Sequence, residues 1–298
     1  MAEQGTGRTG APGGLPASVL ALGEQLREAD DIAPLPALFA DAEVFAAERA
    51  RIFARTAIIA DHIHRLPADG RYFVVDTGAR PLVLTRERAD RLHALGNLCL
   101  HAGYPVCEDE DGAGERLHCP YHDWEYALDG RLLYPALSPE RFDPARLRLR
   151  SYPLSVHRGL IFVDLSGSAP PEPDGAAALP EWLAEAAVVR RARLSVERNW
   201  KHLHQILSLG AAPILGFPPE APVLPFGALG FVVTGADRAA LLRLVPKAPD
   251  RTDLHMIRFG VEAGSADETS DGIAAAPAPR PDRRFFAWYW ALMEAGAS

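Results

Sequence analysis

The chain has 298 residues, 48% of them apolar, enough to bury one large core or two modest ones. Its formal charge of −8 argues against nucleic acid or an anionic membrane surface as a partner. No apolar run approaches the ~20 residues that cross a bilayer, and the Gly-rich start lacks a basic stretch followed by a hydrophobic one, so a cytoplasmic protein is expected.

In chain order, residues 1–17 are rich in Gly, Thr and Ala, have little to bury, and are expected to form a disordered tail. Helices should occupy 18–55, where Phe45, Ile52 and Phe53 recur at helical spacing and predict an amphipathic helix over 43–55. From Arg71 the period changes to two. Residues 72–75 and 82–84 read as strands with the turn at 76–81, and Asp129-Gly130 predicts a hairpin between 124–126 and 132–133. Short strands continue to Leu165, and a Pro-, Ala- and Gly-rich stretch at 166–180 then marks a boundary. Beyond it, 229–233, 241–245 and 256–261 predict an antiparallel sheet, 263–281 a mobile loop, and 285–293 a closing helix.

Four residues within the strand region, Cys99, His101, Cys119 and His122, form two short pairs, Cys-Leu-His and Cys-Pro-Tyr-His. A binuclear iron-sulfur cluster of the Rieske type needs two thiolates on one iron and two neutral imidazoles on the other, which removes negative charge and raises the reduction potential. Each pair carries turn residues, Gly103 and Pro105 after the first and Pro120 inside the second, as two converging loops require. Two Cys and two His also suit zinc, but zinc fingers usually set a Cys pair before a His pair, whereas here the types alternate. The quartet therefore reads as the ligand set of a Rieske 2Fe-2S cluster. Cys107, between the pairs, has no partner left for an intrachain disulfide and reads as a small packed thiol.

The surrounding words carry a resemblance. Residues 96–103 (GNLCLHAG), 119–126 (CPYHDWEY) and 129–132 (DGRL) resemble the large subunit of Rieske non-heme iron oxygenases, the ring-hydroxylating type. Residues 43–45 and 51–53 look like the helix before that family's Rieske domain and 159–165 like its closing strand, so the likeness runs from about Leu35 to Ser166. It implies an α+β chain: a tail at 1–17, N-terminal helices at 18–55, an antiparallel β Rieske 2Fe-2S domain at 56–166, a linker at 167–180, and a reduced helix-grip-like α+β domain at 181–298. Respiratory Rieske proteins fit less well, because they add a cysteine to each loop and pair the two as a disulfide; the corresponding positions here are Tyr104 and Tyr121. The family usually has Arg after the first ligand histidine and Gly after the second, where this chain has Ala102 and Asp123. Asp123 tolerates a positive φ better than most residues, and its carboxylate is expected to stabilise the oxidised cluster and favour protonated imidazole.

The same resemblance implies a mononuclear iron held by two His and one carboxylate, on a helix that opens with Asn-Trp-Lys. Asn199-Trp200-Lys201 is present. Laid on without gaps, the family's bridging carboxylate falls on Gly210 and its two ligand histidines on Pro213 and Pro218, none of which binds iron through a side chain. The prolines should also end or kink that helix. His202 and His204 lie about 200° apart on a helix and read as packed or exposed histidines. His62, His64, His93, His118, His157 and His255 complete no triad, and Asp282 and Glu294 stand in no motif. The expected second half is therefore shortened and lacks mononuclear Fe(II). Relatives assemble head to tail, with the Rieske cluster of one subunit beside the mononuclear iron of its neighbour. The implied partners are an iron-competent Rieske oxygenase subunit, in a ring-shaped trimer or a multiple of it, and a ferredoxin or flavin reductase as donor. His101 and His122 would be the electron exit points. An active mono- or dioxygenase with an atypical iron site, including His202 or His204, and a non-catalytic scaffold subunit are the competing readings.

Overall fold

In a computed structural model, residues 15–28, 36–88, 91–136, 143–260, 272–273, 275–277 and 283–295 are described. Residues 1–14 of the expected tail, most of the expected loop at 263–281, and Asp282 lie outside them. Helix α1 (Ala17–Glu28) and the short α2 (Pro36–Ala40) precede α3 (Ala42–Glu48), which starts at Asp41 because its carboxylate accepts from the Glu43 and Val44 N–H groups at 2.7 and 3.1 Å. The helix predicted over 43–55 is present but not uniform: past Glu48 it widens into a π-turn over Arg49–Phe53. The wider turn keeps Phe45, Ile52 and Phe53 buried together, with the Phe45 and Phe53 rings edge to face at 5.8 Å.

Three antiparallel sheets follow. Strands β1 (Ala57–His62), β10 (Leu154–His157) and β11 (Leu160–Asp164) form one, in the order β1-β11-β10. The second, ordered β5-β2-β3-β4-β9, contains β2 (Arg71–Asp76), β3 (Pro81–Arg86), β4 (Leu92–Gly96), β5 (Asp111–Ala113) and β9 (Ser151–Tyr152). The predicted turn joins β2 to β3, with Val75 opposite Leu82 and Gly78 at φ 78° accepting no Cβ without strain. The third sheet, β6-β7-β8, is built from β6 (Arg116–His118), β7 (Glu125–Ala127) and β8 (Leu132–Tyr134). Cys99, Val106, Cys107, Leu117, Cys119, Trp124 and Tyr126 share one core cluster with Val83 and Leu149. Strand alternation is the cause: Trp124 and Tyr126, two apart, face inward while Glu125 faces out.

The second half is a five-stranded antiparallel sheet, ordered β12-β16-β15-β14-β13, of β12 (Val188–Val196), β13 (Val223–Phe226), β14 (Gly230–Thr234), β15 (Arg238–Ala248) and β16 (Arg251–Gly260). Helix α4 (Trp200–Ile214) contacts β13, β14 and β15, and α5 (Arg283–Ala295) buries Phe286, Tyr289, Trp290 and Met293. Asn199 caps α4 by accepting from the Lys201 N–H at 2.9 Å, while its amide donates to the Phe39 and Pro249 carbonyls. Pro213 does not break α4 in its middle; it sits in the last turn, and the helix closes on Gly216 at φ 75°, with Phe217 N–H donating to Ala212 O and Gly216 N–H to Pro213 O. Pro218 lies past the end.

The Asn-Trp-Lys word anchors the two halves to each other. Glu48 of α3 accepts from Trp200 Nε1 at 2.8 Å, from Lys201 Nζ at 2.5 Å and from the Tyr289 hydroxyl at 2.8 Å. All four side chains are fully buried. Burial lowers the Lys201 ammonium from its ordinary range, the Glu48 carboxylate acting in the opposite sense. Among the described residues no helix is long and apolar enough to cross a membrane.

Candidate metal centre

The two ligand loops have the same backbone design. In the first, Cys99 N–H donates to Tyr104 O at 2.7 Å and Gly103 N–H to Cys99 O at 2.8 Å; in the second, Cys119 N–H donates to Trp124 O at 2.9 Å and Asp123 N–H to Cys119 O at 3.1 Å. The fifth residue of each loop has a positive φ, Gly103 at 69° and Asp123 at 58°. Asp123 thus fills a left-handed position that its partner loop gives to glycine, as its tolerance for that region allows. Its carboxylate is engaged at the surface, where Oδ1 meets His118 Nε2 at 2.9 Å.

The loops bring the sequence-predicted quartet together. Cys99 and Cys119 are 4% and 1% exposed, and their thiols lie within hydrogen-bond reach of each other. The His101 and His122 rings are 4.5 Å apart at 61°. His101 is exposed and His122 half-buried, so the donor set runs from a buried sulfur end to an accessible nitrogen end. Burial pushes the Cys119 thiol up, with Cys99 adding to it, while the Tyr121 and His122 N–H groups pull it down. These N–H groups are the donors that a sulfur ligand accepts from. Two soft thiols and two imidazoles, segregated two and two, fit a Rieske [2Fe-2S] cluster. Among the described residues no group of three or more His, Cys, Asp or Glu is placed on a single metal ion, which the two-and-two division of a binuclear cluster does not require.

Two supporting residues escaped the sequence reading. The Tyr126 hydroxyl lies 3.2 Å from Cys99 Sγ and accepts from Leu100 N–H at 3.0 Å. Trp124 stacks on His101 at 5.1 Å and 6°, its indole fixed by a 3.0 Å bond to Ala136 O. The strand alternation of the DWEY word was the available signal for both. Tyr104 and Tyr121, in place of the respiratory disulfide, pack ring to ring across the loops at 5.0 Å. Tyr126→Phe is expected to lower the reduction potential by roughly 50 mV, because a hydroxyl donating to sulfur favours the more negative reduced state and about 1 kcal/mol is lost with it. Redox titration followed by visible absorption checks this. Cys107 is a packed thiol pushed up to about 12 by burial, and only its backbone bonds, to both ends of the Asn97 amide.

The histidines proposed as iron substitutes part company as helical geometry demands. His202 stacks on Phe39 at 4.2 Å, whereas His204 stacks on Trp288 at 4.2 Å and bonds Ala228 O at 3.1 Å. His204 lines a cavity of about 830 Å³ with Gln205, Asp164, Phe226, Phe285 and Trp288, roofed by residues 168–174 of the expected linker. Gln205 is 5% exposed and its Nε2 has no partner among the described residues. Gly210, Pro213 and Pro218 occupy the end of α4 and the turn after it.

Burial holds His204 at about 4, against the Ala228 carbonyl, and holds His62 at about 4 in spite of its bond to Leu183 O. Both stay neutral in the fold while the unfolded chain takes up protons below 6.5. Stability is therefore full above pH 6.5 and falls as pH drops toward 4, by up to about 3 kcal/mol per histidine. Urea midpoints measured across that window read the slope.

The comparisons with known proteins agree with this geometry. A family model described as the Rieske [2Fe-2S] domain matches residues 56–153. The glycine betaine monooxygenase oxygenase subunit of Chromohalobacter salexigens is 32% identical over 181 residues, covering 59% of this chain and 40% of that one. Residues 56–153 form a Rieske [2Fe-2S] domain homologous to that of Rieske oxygenase subunits. The Rieske match extends to the anthranilate 1,2-dioxygenase large subunit of Acinetobacter baylyi, 31% identical over 135 residues, covering 44% of this chain and 29% of that one. Among solved structures, the quaternary ammonium Rieske monooxygenase CntA has a TM-score of 0.62 at 17% identity, covering 88% of this chain and 80% of that one, and naphthalene 1,2-dioxygenase from Rhodococcus sp. a TM-score of 0.63 at 18% identity, covering 92% and 98%. The Rieske fold therefore continues into the fold of the oxygenase second half, although the chain spans only 40 to 44% of the glycine betaine monooxygenase subunits it matches.

Proposed function

We propose that this chain is the Rieske 2Fe-2S subunit of a cytoplasmic oxygenase system, taking electrons from a ferredoxin or flavin reductase and passing them to the mononuclear iron of a partner oxygenase subunit in a hetero-oligomer. What supports the reading is the end of α4 and the turn after it: the resemblance lays the family's bridging acid and two histidines on Gly210, Pro213 and Pro218, none of which has a side chain that binds iron. In this reading Cys99 and Cys119 hold one iron, and His101 and His122 hold the other through one ring nitrogen each. The cluster, when bound, supplies reversible one-electron chemistry. The chain's own residues set its surroundings: the core excludes water from the sulfur end, Tyr126 and the Tyr121 and His122 N–H groups donate to sulfur, and Trp124 fixes the plane of His101. The free ring nitrogens remain for hydrogen bonds across an interface. Exposed Leu98, Leu100, Tyr104 and Tyr121 surround the loops with apolar surface of the kind subunits bury.

The test is an assay with reductant and dioxygen of the chain alone, the partner alone and the two together. The proposal expects product only when an iron-competent partner is present, and turnover by this chain alone overturns it. A second reading, an oxygenase with an atypical iron site, draws on His204 facing the same cavity as Asp164, Asp174 and Glu172. It expects turnover without a partner. A scaffold role expects the Cys99→Ser subunit to support the partner as well as the wild type does.

A further inference from the structure

Where β1 meets the five-stranded sheet of the second half there is a separate cavity of about 290 Å³, lined by Asp61, Arg65, Glu110, Arg191, Arg193, Arg243 and His255 among others. One wall is a row across three strands, running inward from the rim: exposed Arg193 on β12 pairs with His255 on β16, which pairs with buried Arg243 on β15. Cross-strand neighbours of like charge repel, and sheets ordinarily set a carboxylate in such a row. This row has none. Asp61 is engaged elsewhere, accepting from Arg191 at 2.6 Å and from Arg65 at 3.0 Å, and Arg65 also reaches Glu110 at 3.1 Å and Asp111 at 3.7 Å.

Arg243 is 6% exposed and donates to the Ile59 and Ala60 carbonyls, with no carboxylate at ion-pair distance among the described residues. Its Nη2 lies 3.1 Å from His255 Nδ1. A guanidinium only donates, so Nδ1 accepts, and the proton of neutral His255 resides on Nε2. Burial and the neighbouring Arg243 and Arg193 hold His255 neutral, far below the usual imidazole range, against Asp76. His255 Nε2 and Arg243 Nε are both buried and have no hydrogen-bond partner among the described residues. The residues that carry these two unpaired donors line one small cavity with Arg193, which has no carboxylate at ion-pair distance among the described residues, and the carboxylates of Asp61 and Glu110 beside them are engaged by Arg65 and Arg191. Leaving buried donors and charges unmatched is costly, and the matching group is an acceptor with negative charge.

We infer that this cavity binds a small oxyanion, the anionic oxygens of a carboxylate or a phosphate accepting from Arg193, Arg243 Nε and His255 Nε2, and that the ion ties the Rieske half to the sheet of the second half. At about 290 Å³ the site takes a small ion with a few waters rather than an extended ligand. The inference is independent of the electron-transfer reading.

The test is calorimetric titration of the full, cluster-loaded chain in chloride-poor buffer, with inorganic phosphate in one arm and acetate in the other. Saturable one-to-one binding of either ion is expected, and the arm that binds identifies the class. Arg193 is exposed at the rim, so Arg193→Gln leaves the fold intact and should weaken binding at least about tenfold, the loss of one charge-assisted contact. Arg146→Gln, on a distant exposed arginine, should bind as the wild type does. Saturation by neither ion, unchanged binding in Arg193→Gln, or equal weakening in Arg146→Gln overturns the inference.

Discussion

Cys119→Ser is expected to remove the visible absorption of the cluster and to lower electron delivery to a partner by at least about 100-fold, a loss larger than that of outer ligand-shell residues. The serine hydroxyl is a hard, weakly acidic donor where a soft thiolate is needed. The site gives no substitute, because Cys107 is fixed elsewhere by the bonds of its backbone to Asn97 and its thiol is pushed up to about 12 by burial. Cys107→Ser is accordingly expected to keep its absorption spectrum and to lose only about 1 kcal/mol of stability from a polar atom placed in the core. Cys119 lies within the first half of the chain and the five-stranded sheet of the second half packs in a different core cluster, so circular dichroism of Cys119→Ser should retain the signal of that sheet. A serine variant with an unchanged spectrum would remove Cys119 from the ligand set.

Lys201→Met should cost about 3–5 kcal/mol, because it leaves the Glu48 carboxylate in a fully buried site without its counter-charge. Trp200 and Tyr289 still donate to Glu48, which keeps the loss from being larger. The double change Glu48→Leu with Lys201→Met removes both charges and should recover much of the loss. Against a total of about 5–15 kcal/mol for an ordinary domain, the single variant sits close to unfolding at 37 °C. Urea denaturation of the single and double variants measures both effects. A loss under about 1 kcal/mol for Lys201→Met would mean the pair is hydrated rather than buried.

The legible parts of this chain were those in which chemistry demands residue types at fixed short spacing. Cys99, His101, Cys119 and His122 could be read together because each pair must fit one tight loop, and Asp123 could be read as a positive-φ residue because the resemblance places the family's glycine there. Three of the five strands of the second-half sheet were legible from their apolar runs: β14 is shifted by one residue from 229–233, β15 extends 241–245 at both ends, and β16 begins five residues before 256, whereas β12 and β13 had no such run. What local pattern does not carry is pairing at long range. Glu48 meets Trp200 and Lys201 about 150 positions later, so the role of the Asn-Trp-Lys word as an anchor had no local signal. The π-turn at Arg49–Phe53 looks like continuing helix in a period of 3.6. Asp123 turning to His118 depended on the hairpin that brings the strand end of β6 beside the loop, and the Pro-rich segment read as a linker proved to cover the large cavity.

On the proposed function this chain carries a cluster and no iron of its own for oxygen activation. Iron and acid-labile sulfide counted together on the isolated chain, after purification with excess ferrous iron and removal of loosely bound metal, test it most directly. About two irons and two sulfides per chain are predicted, the content of one Rieske cluster. A third iron per chain, retained with sulfide still at two, would contradict it and turn attention to His204 and the acids of the large cavity.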